Sequence, residues 1–169
     1  PLMSCCHYYQ SIPGNEQVFS ADITRIRYGC GVLKELGQEA RALGIKRAAV
    51  YTDSRICSSP LFEEAVAALR SEGIEAVIYD EVRVEPTDVS FKEAARFANS
   101  GAFDGFISIG GGSVIDTAKA ANLYSSCEGD FMDYVNAPIG RGLVVPGPLR
   151  PHLACPTTAG TGSESTGIA

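Results

Sequence analysis

Short apolar runs alternate with stretches of helical periodicity through the middle of this chain. Ala48-Ala49-Val50-Tyr51-Thr52, the run from Ile74 to Tyr79, and Phe106-Ile107-Ser108-Ile109 read as strands. None of them alternates regularly between apolar and polar residues, which is the pattern of strands buried on both faces. Around them, three sets of apolar residues recur at helix spacing: Val32, Leu33, Leu36, Ala40 and Leu43; Leu61, Phe62, Ala65, Val66 and Leu69; and Phe91, Ala94, Ala95 and Ala98. Gly44, Gly73 and Gly101 stand where these helices stop, Pro60 suits a first helical turn, and Asp88 is expected as an N-cap. Strand and helix in alternation, with short connections, specify a parallel sheet with helices on both faces. Regular alternation at residues 23–28 predicts one further, half-exposed strand, and residues 153–155 another. Beyond Asp130 the prolines and glycines crowd, and the pattern becomes loop.

The run 106–109 leads directly into Gly110-Gly111-Gly112-Ser113, and a helix carrying Val114, Ile115, Ala118, Ala121 and Leu123 follows. Glycines let a ligand approach the backbone with no Cβ in the way. The free amides and dipole of a helix start attract an anion such as a pyrophosphate. Ser113 adds a hydroxyl donor, and Asp116, one turn on, reaches past the phosphates. The same glycines would also serve a tight turn that binds nothing. The strand–glycine–helix context makes the fold a Rossmann-like α/β sheet with a ligand at its carboxyl edge. Asp53 closes its strand at that edge. A carboxylate there either accepts hydrogen bonds from a ribose or caps the next helix, and both readings stand. The segment 156–166, dense in Thr, Gly and Ser, reads either as a loop wrapped on a polar ligand or as a linker.

Composition excludes several partners. Fourteen basic against 20 acidic residues give a net charge of −6, the wrong sign for a broad nucleic-acid footprint. No apolar run reaches the length of a membrane span. Cysteines at 5, 6, 30, 57, 127 and 155 are irregularly spaced and read as small buried hydrophobes in a reducing compartment. His7 and His152 have no i, i+4 partner, so no metal site is expected from them. The chain opens at Pro1 and ends at Ala169 without terminal signals, and reads as a piece of a longer protein.

Taken together, Gly110-Gly111-Gly112-Ser113-x-x-Asp116-x-x-Lys119 and the later Pro156-Thr157-Thr158-Ala159-Gly160-Thr161-Gly162-Ser163-Glu164 resemble the iron-containing alcohol dehydrogenases. Val82-Arg83-Val84-Glu85-Pro86-Thr87-Asp88 and Asp133-Tyr134-Val135-Asn136-Ala137-Pro138-Ile139-Gly140 are similar to the hydroxyacid–oxoacid transhydrogenase branch. The resemblance runs from about Phe19 onward. It implies an N-terminal extension over residues 1–21 and an NAD-binding α/β domain over 22–169. It places the helical domain that holds a catalytic Fe2+ or Zn2+ beyond Ala169, so this chain alone is expected to be inactive.

The resemblance also assigns roles. Gly111, Gly112 and Ser113 would hold the pyrophosphate. Asp116 would lie near the nicotinamide, and Asp53 at the adenosine ribose, where it favours NAD over NADP. Thr157, Thr158 and Thr166 would complete the cofactor wall. Glu85 stands where many family members have Asn. No catalytic residue is assigned within the chain. The implied chemistry in the full-length protein oxidises 4-hydroxybutyrate to succinate semialdehyde and reduces 2-oxoglutarate to 2-hydroxyglutarate. A plain NAD-dependent primary alcohol dehydrogenase is the alternative enzyme, and a non-catalytic nucleotide-binding fragment the alternative outside catalysis. The expected partners are a small hydroxyacid, oxoacid or alcohol and further copies of the full-length protein, with no nucleic acid and no membrane. The expected location is the mitochondrial matrix, with the cytoplasm as the alternative.

Overall fold

A computed structural model describes residues 25–166. A 3-10 turn at Val32–Glu35 leads into α1 (Leu36–Ala42). Then follow β1 (Arg47–Tyr51), α2 (Ser54–Cys57), α3 (Pro60–Ser71), β2 (Glu75–Tyr79) and α4 (Asp88–Ser100). After them come β3 (Gly105–Gly110), α5 (Gly112–Ser126), a 3-10 turn at Phe131–Asp133 and β4 (His152–Pro156). The four strands form one sheet in the order β2-β1-β3-β4. Every neighbouring pair is parallel, with Val50 opposite Ile78 and Ile107, and Ser108 opposite Ala154.

The absence of alternation in the strands has its cause here. Ala48, Val50, Ile107 and Ile109 pack with Leu36, Ala40, Phe62, Ala65 and Leu69 of α1 and α3. Ala49, Tyr51 and Phe106 point the other way, into Ala94, Ala98, Val114, Ala118 and Ala121 of α4 and α5. With helices on both faces, β3 is buried throughout and β1 is buried except at Arg47, its first residue. The aromatic group of Tyr51, Tyr79, Phe97, Phe103 and Phe106 fills the α4 side, with ring centroids 5.2–6.0 Å apart. The Tyr51 hydroxyl, deep in that layer, donates to Ala94 O at 3.0 Å.

Two glycines mark close approaches of backbones. A Cβ on Gly37 of α1 would lie 2.0 Å from Ala68 O of α3, and one on Gly105 of β3 would lie 2.4 Å from Ile45. Helix α1 therefore sits on α3 more tightly than any side chain would permit.

Three local expectations change. Arg25–Tyr28 runs without strand pairing, and Ile23 and Thr24 lie outside the described residues. The N-cap of α4 is Thr87 and not Asp88. Thr87 Oγ1 accepts from Ser90 N at 3.2 Å, and Ser90 Oγ accepts from Thr87 N at 2.8 Å. Asp88 is the first helical residue, where its charge suits the positive end of the helix and pairs with Lys92 at 3.0 Å. Gly101 is the C-cap of α4, as expected, and is needed because Phe103 packs against its Cα; the left-handed turn falls on the next residue, Ala102 (φ 48°). Among the described cysteines none is in a disulfide. Cys30 is exposed, contrary to the buried reading, and Cys57, Cys127 and Cys155 are half-buried.

Candidate functional site

The chain moves from β1 to β2 on one side, and β3 then pairs on the other side of β1. The carboxyl ends of β1 and β3 therefore diverge into helices on opposite faces and leave a crevice between them. This is the position where open α/β sheets take ligands. Asp53 ends β1 at this crevice, the glycine turn ends β3, and the 157–166 segment leaves β4 beside it.

The stretch Val32–Ala42, ahead of the first strand, also starts without a side-chain cap, but among the helices that come after β1 the glycine turn stands apart. Asp53 caps α2, Ser59 caps α3 and Thr87 caps α4, each with a side-chain oxygen. Helix α5 starts from Gly111 with no side-chain cap. Its first amides are left to whatever lies in the crevice, as an anion site requires.

The glycines are also packed from the C-terminal side. A Cβ on Gly112 would lie 3.1 Å from Ser163 Oγ and 3.2 Å from Thr161, and one on Gly111 would lie 3.2 Å from Thr158 Oγ1. Segment 157–166 is thus a folded wall over the turn and not a linker. Thr157 N donates to Gly110 O at 2.9 Å and anchors it. Asp116 Oδ2 accepts from Ser163 Oγ at 3.4 Å, and Lys119 Nζ reaches both Asp116 Oδ1 at 3.4 Å and Thr166 Oγ1 at 3.2 Å. One carboxylate oxygen of Glu164 is enclosed in this wall with no hydrogen-bond partner among the described residues.

Seven of the eight residues expected at a cofactor site therefore converge around the α5 terminus: Gly111, Gly112, Ser113, Asp116, Thr157, Thr158 and Thr166. Asp53 lies across the crevice. Its Oδ1 accepts from both Arg55 N and Ile56 N at 3.0 Å, so the capping role is realised, and Oδ2 takes neither of these bonds. The Ser113 hydroxyl donates to Val84 O. Its hydrogen is thus committed to protein, and the Ser113 amide rather than its hydroxyl is turned to the crevice.

Two polar contacts between the strands are not visible in the sequence. Thr52, fully buried after β1, ties β1 to β3 through its hydroxyl, which donates to Ile109 O at 2.9 Å. His152 on β4 shares a 2.9 Å hydrogen bond with Ser108 Oγ on β3. Burial, reinforced by the Lys119 ammonium, pushes His152 from its usual 6.5 down to about 4. The folded protein thus refuses a proton that the unfolded chain takes up below about 6.5. The contribution is fully present above that pH and is lost as pH falls toward 4. Urea midpoints between pH 7 and 4 are expected to fall less steeply for His152→Gln than for the parent; equal slopes would contradict the assignment.

No group of three or more His, Cys, Asp or Glu among the described residues is placed to hold a metal ion. No described helix is long and apolar enough to cross a membrane.

A parallel sheet with a glycine-led helix at its switch point is the architecture of a doubly wound α/β protein. The family can be stated more narrowly: this chain belongs to the iron-containing alcohol dehydrogenases, whose family profile matches residues 24–169. A mitochondrial hydroxyacid-oxoacid transhydrogenase of Bos taurus is 49% identical over an alignment covering 96% of this chain and 37% of the relative. Among solved structures, 1,3-propanediol oxidoreductase superposes with a TM-score of 0.79 at 28% identity, covering 89% of this chain and 38% of that one. Sulfoacetaldehyde reductase from Bifidobacterium kashiwanohense, in complex with NAD+, gives 0.77 at 25% identity, covering 89% and 39%. The chain therefore spans little more than a third of the length of these relatives.

Proposed function

We propose that residues 22–169 form the cofactor domain of an NAD-dependent, metal-dependent oxidoreductase of the hydroxyacid–oxoacid transhydrogenase type. The observation that carries this is the uncapped start of α5, enclosed by a glycine turn and by the hydroxyl-rich wall of 157–166. The fit is chemical. Free amides and a positive helix end suit a pyrophosphate, and the absence of Cβ atoms at Gly111 and Gly112 lets it come close.

The amides of Gly112 and Ser113 would hold the pyrophosphate. Thr157, Thr158 and Thr166 would line the dinucleotide, and Asp53 would accept from the adenosine ribose through Oδ2. Asp116, one turn into α5, would face the nicotinamide half, held in place by Ser163 and Lys119. A dinucleotide held by these residues would supply a hydride acceptor in its oxidised form and a hydride donor in its reduced form, between a substrate hydroxyl carbon and an oxoacid keto carbon. The chain's own task is to hold the dinucleotide so that only its nicotinamide end meets a substrate. The Fe2+ or Zn2+ of the family we place on the part of the relatives' length that this chain does not span. We place that protein in mitochondria, as the bovine relative's name does for that protein. Turnover of 4-hydroxybutyrate with 2-oxoglutarate and no added NAD tests the transhydrogenase reading. A strict requirement for added NAD would favour a plain alcohol dehydrogenase.

Asp53 sets the expected cofactor preference. A 2′-phosphate about 4 Å from its carboxylate would meet a like charge, costing about 1–4 kcal/mol. Asp53→Asn keeps an oxygen for the Arg55 and Ile56 amides and removes only the charge. Paired NAD and NADP titrations are expected to show the preference for NAD shrinking roughly tenfold or more. An unchanged ratio would leave Asp53 as a helix cap alone.

A further inference from the structure

The segment between β2 and α4 crosses the mouth of the crevice, and its tip is tied down at one point. Its flanks are secured: Glu81 bridges to Asp53, Val82 is buried against the α4–α5 layer, and Thr87 caps α4. Between them, Arg83, Val84 and Glu85 are exposed, with 76% of Val84 open to solvent. Among the described residues, the sole hydrogen bond reaching Arg83–Pro86 is donated by the Ser113 hydroxyl to Val84 O. Pro86 has no N–H with which to make another.

A serine hydroxyl has one hydrogen. While it is donated to Val84 O, it is not available to a phosphate. We propose that Ser113 is a positioning residue: its side chain acts on the dinucleotide through the 83–86 tip, which it pins against the start of α5 as one wall of the cofactor crevice. The proposal rests on the cofactor reading above and adds to it a second role for a residue whose amide lies in the anion site. In this arrangement the same residue fixes the phosphate end and the neighbouring wall, so the two cannot move apart when the crevice is empty.

The experiment uses the full-length protein with two readouts. Trypsin cleavage at Arg83–Val84 in the absence of ligand reports release of the tip, and NAD titration reports the consequence for the cofactor. Ser113→Ala is expected to accelerate cleavage at that bond and to weaken NAD binding, each by about 3- to 10-fold, the worth of one such hydrogen bond. Ser113→Thr, which restores the hydroxyl, is expected to return both toward the parent. Weaker NAD binding with unchanged cleavage would overturn the proposal, because the hydroxyl would then touch the ligand directly. Faster cleavage with unchanged NAD affinity would overturn it as well, because the tie would serve the fold alone. A parent protein that does not bind NAD would overturn the underlying cofactor reading, and that shows before any variant is compared.

Discussion

Gly112→Val is expected to abolish NAD binding in the full-length protein. The first carbon of the new side chain would stand 3.1 Å from Ser163 Oγ and 3.2 Å from Thr161. It would push the 157–166 wall away from the turn, and its branches would cover the first amides of α5. The loss should exceed 100-fold, because both the approach of the phosphates and the wall that encloses them are removed together. The backbone at Gly112 is helical and needs no positive φ, so the substitution does not strain the turn itself. Circular dichroism should therefore remain near the parent's, and isothermal titration should show no heat of binding. Retained affinity in a folded Gly112→Val protein would mean that the glycine turn is only a turn.

Gly37→Ala is expected to destabilise the fold by about 3 kcal/mol, the upper range for forcing an atom into a packed interior. Helix propensity alone argues the opposite, since alanine in a helix is favoured over glycine by about 1 kcal/mol. The contact decides. The added Cβ would lie 2.0 Å from Ala68 O, a backbone atom that cannot swing aside. Helices α1 and α3 would have to separate, opening the layer that holds Leu36, Ala40, Phe62 and Leu69 against β1 and β3. Urea unfolding followed by far-ultraviolet circular dichroism measures the effect. A variant as stable as the parent, or more so, would show that α1 does not sit on α3 as described.

How much of this was legible in the residues depends on how far apart the interacting groups lie. The sheet was readable because burial on both faces leaves a local trace: Ala48 to Tyr51 and Phe106 to Ile109 are apolar without alternation. The glycine turn was readable for the same reason, since strand, glycines and helix adjoin. The cap of α4 was misplaced by one residue because Thr87 and Asp88 both carry a capping oxygen. Only the reciprocal bonds with Ser90 separate them. Asp53 stayed ambiguous because a carboxylate at a strand end can serve either a cap or a ribose. Its Oδ1 proves to do the first, and its Oδ2 takes neither capping bond.

Composition could not tell whether 157–166 is a linker or a wall. What makes it a wall are bonds to Gly110, Asp116 and Lys119, more than 40 positions earlier in the chain. The tie from Ser113 to Val84 O was invisible for a related reason. Its acceptor is a backbone carbonyl, and a sequence does not record where carbonyls point.

The central claim is that the start of α5 receives the pyrophosphate of NAD. A crystal structure of the full-length protein grown with NAD tests it directly. The account predicts phosphate oxygens within hydrogen-bond distance, about 3 Å, of the Gly112 and Ser113 amides, with Thr157 and Thr158 alongside. Dinucleotide density elsewhere, with the α5 terminus capped by water or by another part of the protein, would contradict it.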